Sequence, residues 1–185
     1  MHRVLVHSRH TPRAKLEKKY PEHEIIDVTS RAPTPWVKFS PFYPHGEIPV
    51  PGSPGHVSQS VEGLWQGLKV FETAGVDLAK MQNTTMKRLK RTVRKFGQVK
   101  GHLASVDSEE LLGYGEARYA LYLPAYLWVL ENCLVDELDA LREIAEERPI
   151  VLLDYETNGD VDDLRKPLSH AWLIAHYLND EWPSR

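Results

Sequence analysis

Short apolar runs broken by prolines occupy the first third of this chain, and helical periodicity takes over afterwards. Arg3–His7 reads as a short strand. Thr11 stands where it would cap a helix, with Pro12 at the first helical position and Pro21 as its limit. His23–Thr29, carrying Ile25, Ile26 and Val28, reads as a second strand. Residues 31–59 follow no period. Pro41, Pro44, Pro49, Pro51 and Pro54 remove backbone donors and fix φ, which predicts a shaped loop or short edge strands.

Ser60 offers an oxygen to cap a helix expected over Val61–Glu72. On it Glu62, Gln66 and Lys69 fall within one arc, while Val61, Leu64, Leu68 and Phe71 take the opposite side. Gly63 and Gly67 lie between these faces. Each weakens a helix by roughly 1 kcal/mol against alanine, so close approach of another backbone or a ligand is their expected use. Further helices are expected over Thr85–Lys95, with Met86, Leu89, Val93 and Phe96 as its apolar stripe, and over Glu116–Leu130. Pro124 predicts a kink or a break in the second. Leu138, Leu141 and Ile144 mark a helix over Asp136–Glu147. Ile150–Leu153, wholly apolar, has the pattern of a buried strand, and Leu168–Leu178 of a closing helix with Trp172 and Leu173 in the core. The order predicts one α+β domain over 1–185, mainly helical with a few short strands. Residues 1–30 form a β-α-β lead-in, 31–59 the loop, and 60–178 the helical body with one late strand.

Composition narrows the chemistry more than the fold. With 42% hydrophobic and 26% charged residues, the 185-residue chain can bury a sizeable core and is not of the disordered class. No apolar run approaches membrane-spanning length, and MHRVLVHSRH lacks the character of a signal peptide. Cys133 is alone in the sequence, so no internal disulfide forms, a cytoplasmic setting is expected, and the thiol reads as a buried filler. The net charge of −3 matters less than its distribution: every charged residue from Lys87 to Lys100 is basic, and acidic residues predominate from Glu131 to Asp163.

Many reactions lack their parts. The first strand is not followed by a glycine-rich dinucleotide turn, and the chain has no P-loop, no G-x-S-x-G elbow and no HExxH. Asp160, Asp162 and Asp163 do not have the spacing of a calcium loop, so neither metal nor cofactor is expected. A carboxylate-centred mechanism remains, with Glu62 near a helix N-terminus and Gln66 and Lys69 stacked behind it. Aromatic residues crowd the loop before it, namely Trp36, Phe39, Phe42 and Tyr43. Asp154, Glu156 and Asn158 follow the buried strand, a common place for site residues. Arg31, leaving the second strand, is a candidate phosphate contact.

FSPFYP followed by SVEGLWQGLKVF resembles the signature of the NADAR family of N-glycosidases, in which an F-S-N-F segment precedes a helix reading roughly S-E-H-x-x-Q-x-x-K. Glu62, Gln66 and Lys69 fall on that family's glutamate, glutamine and lysine. The order of later elements also fits, from about Ile25 to Leu178. The resemblance implies Glu62, Gln66 and Lys69 as catalytic residues, and a pocket rim at Arg31. Phe42, Tyr43 and Trp65 would be substrate contacts, and the strand end at Asp154, Glu156 and Asn158 would face the glutamate-bearing helix. It implies cleavage of an N-glycosidic bond in an ADP-ribosylated base or nucleotide, free or within a modified nucleic acid, or in a ribosyl-phosphate N-glycoside. Two further readings stand beside it: a non-catalytic binder of ADP-ribose or NAD derivatives, and a nucleic-acid-binding accessory protein using 87–100.

Overall fold

The run IVLL at 150–153 decides the first half of the architecture. In the structure, a computed structural model describing residues 2–184, the strand Ile150–Asp154 is buried along its whole length. It lies between two earlier strands and pairs with both in parallel. A strand apolar at successive positions has no solvent face to offer, so the centre of a sheet is where it fits.

In chain order the elements begin with β1 (Val4–Ser8), α1 (Arg13–Lys19), β2 (Glu24–Asp27) and a 3-10 turn at Trp36–Phe39. Next come β3 (Ile48–Pro49), β4 (Val57–Ser58), α2 (Val61–Leu68), β5 (Lys69–Phe71) and a second 3-10 turn at Leu78–Gln82. There follow α3 (Val93–Phe96), β6 (Val99–Leu103), β7 (Leu111–Leu112) and α4 (Tyr114–Ala117). A π turn at Arg118–Tyr122 leads into α5 (Leu123–Cys133), α6 (Val135–Glu147), β8 (Ile150–Asp154) and α7 (His170–Leu178). The fold is α+β, as the sequence predicts.

The chain forms two compact units. One comprises the chain up to Ser40 together with Leu134–Ser184, and its sheet has the order β1-β8-β2. Leu16 of α1 packs with Ile25, Val151 and Leu153, and Leu5 and Tyr20 close over them. Thr11 does not cap α1. Pro12 is the N-cap residue, and the Thr11 hydroxyl lies 3.4 Å from His7 Nδ1 instead. On α6 the buried stripe is Leu138, Leu141 and Ala145, with Ile144 only half-buried. Trp172 is likewise half-buried; its indole covers Gly159 and donates to the Thr157 carbonyl at 2.9 Å.

The other unit, Pro41–Cys133, contains the two-stranded β3-β4 sheet and the antiparallel β5-β6-β7 sheet. Here the sequence reading needs two corrections. The helix after Ser60 stops at Leu68, and Lys69–Phe71 is a strand paired with β6. Cross-strand pairing wins over a helix weakened by Gly67, so Lys69 is not the third residue of a helical face. The helix expected over Thr85–Lys95 shrinks to the single turn Val93–Phe96. Upstream of it the Asn83 side chain accepts from the Thr85 amide and donates to the Lys87 carbonyl, and Met86 and Arg88 take positive φ. Local side-chain bonds of this kind compete with the helix. Leu89 alone of the proposed stripe is buried; Val93 is 55% exposed.

The break expected at Pro124 does not occur: α4, the π turn and α5 follow one another without a gap from Tyr114 to Cys133. Pro124 stands in the first turn of α5, where the π turn ending at Tyr122 changes the bonding pattern around the donor that proline lacks. Gly63 also has a backbone reason. A Cβ there would stand 2.7 Å from the Lys80 carbonyl oxygen, so the 3-10 turn at Leu78–Gln82 takes the close approach that the sequence left open to a ligand.

Candidate functional site

Every residue of α2 is buried. Ser60 Oγ accepts from the Gly63 amide at 3.0 Å, which starts the helix and places Glu62 in its first turn. The backbone of the proline-rich segment is tied to the same residue, because the Glu62 amide donates to the Pro41 carbonyl at 2.8 Å. Glu62 is 8% exposed. Its Oε1 accepts from Gln66 Nε2 at 2.9 Å, and among the described residues no salt bridge holds it.

Gln66 is engaged at both ends of its amide. Its Oε1 accepts from the Arg91 backbone amide at 3.0 Å, so Gln66 links the Glu62 carboxyl to the segment 83–92. Arg91 itself is 8% exposed and does not face solvent, as the charge run had implied. Its guanidinium donates to the carbonyls of Gln66 (3.3 Å), Lys69 (2.6 Å) and Gly75 (2.6 Å). These include carbonyls that the end of α2 leaves without helical partners. Arg91 also lies over the rings of Phe71 and Phe96, at 4.9 and 5.2 Å.

The pinned Arg91 leaves its neighbour Lys90 exposed, with the ammonium 5.6 Å from the centre of the Phe42 ring. Lys69, half-buried, lies 5.7 Å from the Trp65 ring. Burial raises the pKa of the Glu62 carboxyl, and the Gln66 bond and the charges of Lys69 and Lys90 pull it back only in part. Burial lowers that of Lys69 against the attraction of Glu62, and the charges of Arg91 and Lys90 add to the lowering. A carboxyl and an amine are thus both drawn toward neutrality from opposite ends of the scale.

Four rings gather around this group. Trp65, 8% exposed, has His102 at 3.8 Å, Tyr122 edge-on at 5.6 Å and Tyr114 at 5.9 Å between ring centres. His102 covers Trp65, so the indole is a packed wall rather than an open stacking platform. Arg118, inside the π turn, is buried with its guanidinium 4.5 Å from the Tyr114 ring.

His102, opposite Lys69 in the strand pairing, is fully buried, and neither ring nitrogen has a hydrogen-bond partner. Burial, reinforced by the Lys69 charge, pushes its pKa down to about 3. The unfolded chain protonates this histidine at its ordinary 6.5, so its contribution is complete above that value and is lost as pH falls toward 3. Compared with a His102→Phe variant, the wild type is expected to lose about 3 kcal/mol between pH 6.5 and 4. Urea unfolding of both proteins at several pH values checks this; parallel pH profiles would show that His102 does not titrate in this way.

Of the remaining sequence candidates, all but Tyr43 lie in the other unit. Arg31 is exposed after β2, and Trp36 stacks on Phe39 at 6.3 Å as a loop anchor. Tyr43, in the Glu62-bearing unit, is half-buried against His45 at 4.9 Å. Asp154 is taken up in an internal ion pair. Its Oδ2 accepts from Ser169 Oγ at 2.8 Å and stands 3.0 Å from His170 Nδ1. His170 Nε2 is 2.8 Å from the Val28 carbonyl oxygen, so both nitrogens face acceptors and the ring is an imidazolium. The serine hydroxyl bonds the aspartate and not the histidine, which is not the geometry of a nucleophilic triad. Asn158 braces a turn through the carbonyls of Asp163 and Lys166, and Glu156 is exposed.

Sequence reasoning missed Lys90, Arg91, His102 and Tyr114 at the Glu62 site. Only the density of basic residues hinted at the first two. Among the described residues no group of three or more histidine, cysteine or acidic side chains is arranged to hold a metal ion, and no helix is long and apolar enough to cross a membrane. Cys133 is half-buried, and burial raises its thiol pKa, which suits a packing role. A cleft of about 500 Å³ lined by His2, Arg3, Leu178, Asn179, Asp180 and Glu181 contains none of the candidates.

No curated protein matches the chain. One family model matches residues 8–174, nearly the whole length, and by that match the chain belongs to the family of unknown function DUF6939.

Proposed function

We propose that this protein is an N-glycosidase whose reaction centres on Glu62. One observation carries the reading: a buried carboxyl, oriented through one oxygen by Gln66, feels the charges of two lysines that each lie against an aromatic ring, without being consumed by a salt bridge. Structural acids buried to this degree are normally paired.

Cleavage of an N-glycosidic bond builds positive charge on the anomeric carbon and negative charge on the departing base. The Glu62 carboxylate stabilises the cation and accepts a proton from the attacking water. Water oxygen bonds to the anomeric carbon as the carbon–nitrogen bond breaks, and the base leaves with a proton. The Lys69 charge favours the ionised form of Glu62 against its burial, and in this reading the Lys69 ammonium is that proton's source. Gln66 fixes the carboxyl. Phe42 and Tyr114, the less buried rings, are the surfaces on which a planar base stacks.

The substrate class carried by the family resemblance is an ADP-ribosylated base or a ribosyl-phosphate N-glycoside. Incubation of the protein with N-linked ADP-ribosylguanosine and, separately, with a ribosylamino-pyrimidine phosphate should release free base from at least one, detected by mass spectrometry. Calorimetric binding of both compounds with no product from either would overturn the enzymatic reading in favour of a binding protein.

A further inference from the structure

We propose that Lys90 and Lys69 form a two-ammonium clamp for a phosphate group beside Glu62, with Lys90 as a specificity-determining residue that neither the motif nor its helix supplies. The inference rests on the glycosidase reading for its substrate but on its own observations for the site.

Three features of the chain converge there. First, the segment 83–92 is irregular and carries two residues at positive φ, yet it is pinned. Leu89 is buried, and Arg91 is held by three carbonyls and by Gln66. The residue between those two anchors is Lys90, whose side chain is thereby held next to Phe42. Phe42 follows Pro41, whose carbonyl is bonded to the Glu62 amide, so the segment carrying the ring is tied to the residue on which the Lys90 charge acts.

Second, among the described residues neither lysine has a salt bridge, and neither ammonium donates a hydrogen bond. The two act electrostatically on each other and both act on the Glu62 carboxyl. Two ammonium groups beside one carboxylate leave a positive excess where one cation is half-buried and a guanidinium, that of Arg91, is close behind. Like charges brought together at a cost are what an anionic ligand relieves.

Third, the donors suit phosphate chemistry. Lysine ammonium groups provide charge-assisted donors without the planar demand of arginine, and both terminal nitrogens of the nearby Arg91 are already committed to backbone carbonyls. The clamp lies next to the carboxylate at which the anomeric carbon would react, which favours a substrate whose phosphate is attached to the same ribose. A monophosphate and a pyrophosphate share this chemistry, and they separate the two substrate classes.

Calorimetry with inorganic phosphate and with inorganic pyrophosphate, as two arms, tests the clamp without any turnover. Wild-type protein should bind one of them, and the preferred anion assigns the monophosphate or the pyrophosphate class. Lys90→Gln and Lys69→Gln should each weaken binding by about tenfold, as expected for losing one charge-assisted donor. Lys100→Gln, a neutralisation on β6 within the same basic run, should leave the affinity unchanged, and Glu62→Gln should bind at least as tightly as wild type. With a turned-over substrate, Lys90→Gln should raise KM far more than it lowers kcat, and should reduce the preference for the phosphorylated over the unphosphorylated N-riboside about tenfold. It should also move the acid limb of the pH profile upward, because Glu62 loses a cation that favours its ionised form. Equal losses from Lys90→Gln and Lys100→Gln would mean diffuse charge attraction and overturn the clamp, as would failure of the wild type to bind either anion at millimolar concentration. Anion binding in the absence of glycosidase products would leave the clamp standing and remove only the activity.

Discussion

Replacing Asp154 by alanine is expected to destabilise the protein by about 3–5 kcal/mol, the cost of leaving a buried charge without its partner. The charge is that of His170, which stands between Asp154 and the Val28 carbonyl and is 8% exposed. Burial works against both members. The imidazolium and its hydrogen bond, with the Ser169 hydroxyl and the Ala171 amide, nevertheless hold the Asp154 carboxyl below its ordinary value. Asp154 and the Val28 carbonyl in turn hold His170 above its own. The raised histidine stabilises the fold fully below 6.5, and that contribution is lost as pH rises through its folded value. The depressed aspartate stabilises above 3.8 and is lost as pH falls. Both contributions coexist between those limits, so urea unfolding near pH 5 should show the Asp154→Ala loss at its largest. Replacing both residues by leucine should cost less than the single change, since no stranded charge remains. A loss below about 1 kcal/mol would place the pair among weak surface ion pairs.

How much of this was legible in the sequence depends on how local each signal was. Ile150–Leu153 announced a buried strand because four consecutive apolar residues have no polar face, and Ser60 announced a helix start because capping is decided within three residues. Pro124 marked an irregularity, though the chain meets it with a π turn and not with a break. The misreadings share the opposite property. Lys69 leaves the helix because His102, 33 positions later, offers a strand to pair with. Arg91 turns inward because carbonyls at Gln66, Lys69 and Gly75 need donors, which nothing in the run Lys87–Lys100 reveals. Asp154 was legible as a polar residue after a buried strand, but its partner is 16 positions away and makes it part of an ion pair. Of the site, the placing of Glu62 and Gln66 on one helical face followed from spacing alone, whereas the bond between them was not foreseen, and Lys90 and His102 are brought there by the tertiary fold.

Glu62→Gln should separate function from folding. Glutamine keeps the shape and an acceptor for Gln66 but cannot carry the negative charge that an oxocarbenium-like state demands. The carboxyl is unfavourable to the fold when ionised: its raised pKa means a contribution that is complete below 4.5 and lost as pH rises through the folded value. At neutral pH the variant should therefore unfold at the same temperature as the wild type or a higher one. Single-turnover release of the free base from an N-linked ADP-ribosyl or ribosyl-phosphate substrate, measured beside the thermal unfolding of both proteins, puts this to the test. The expected result is a fall in rate by about 10²–10⁴ with the fold retained; a folded Glu62→Gln protein that releases base at the wild-type rate would contradict the assignment.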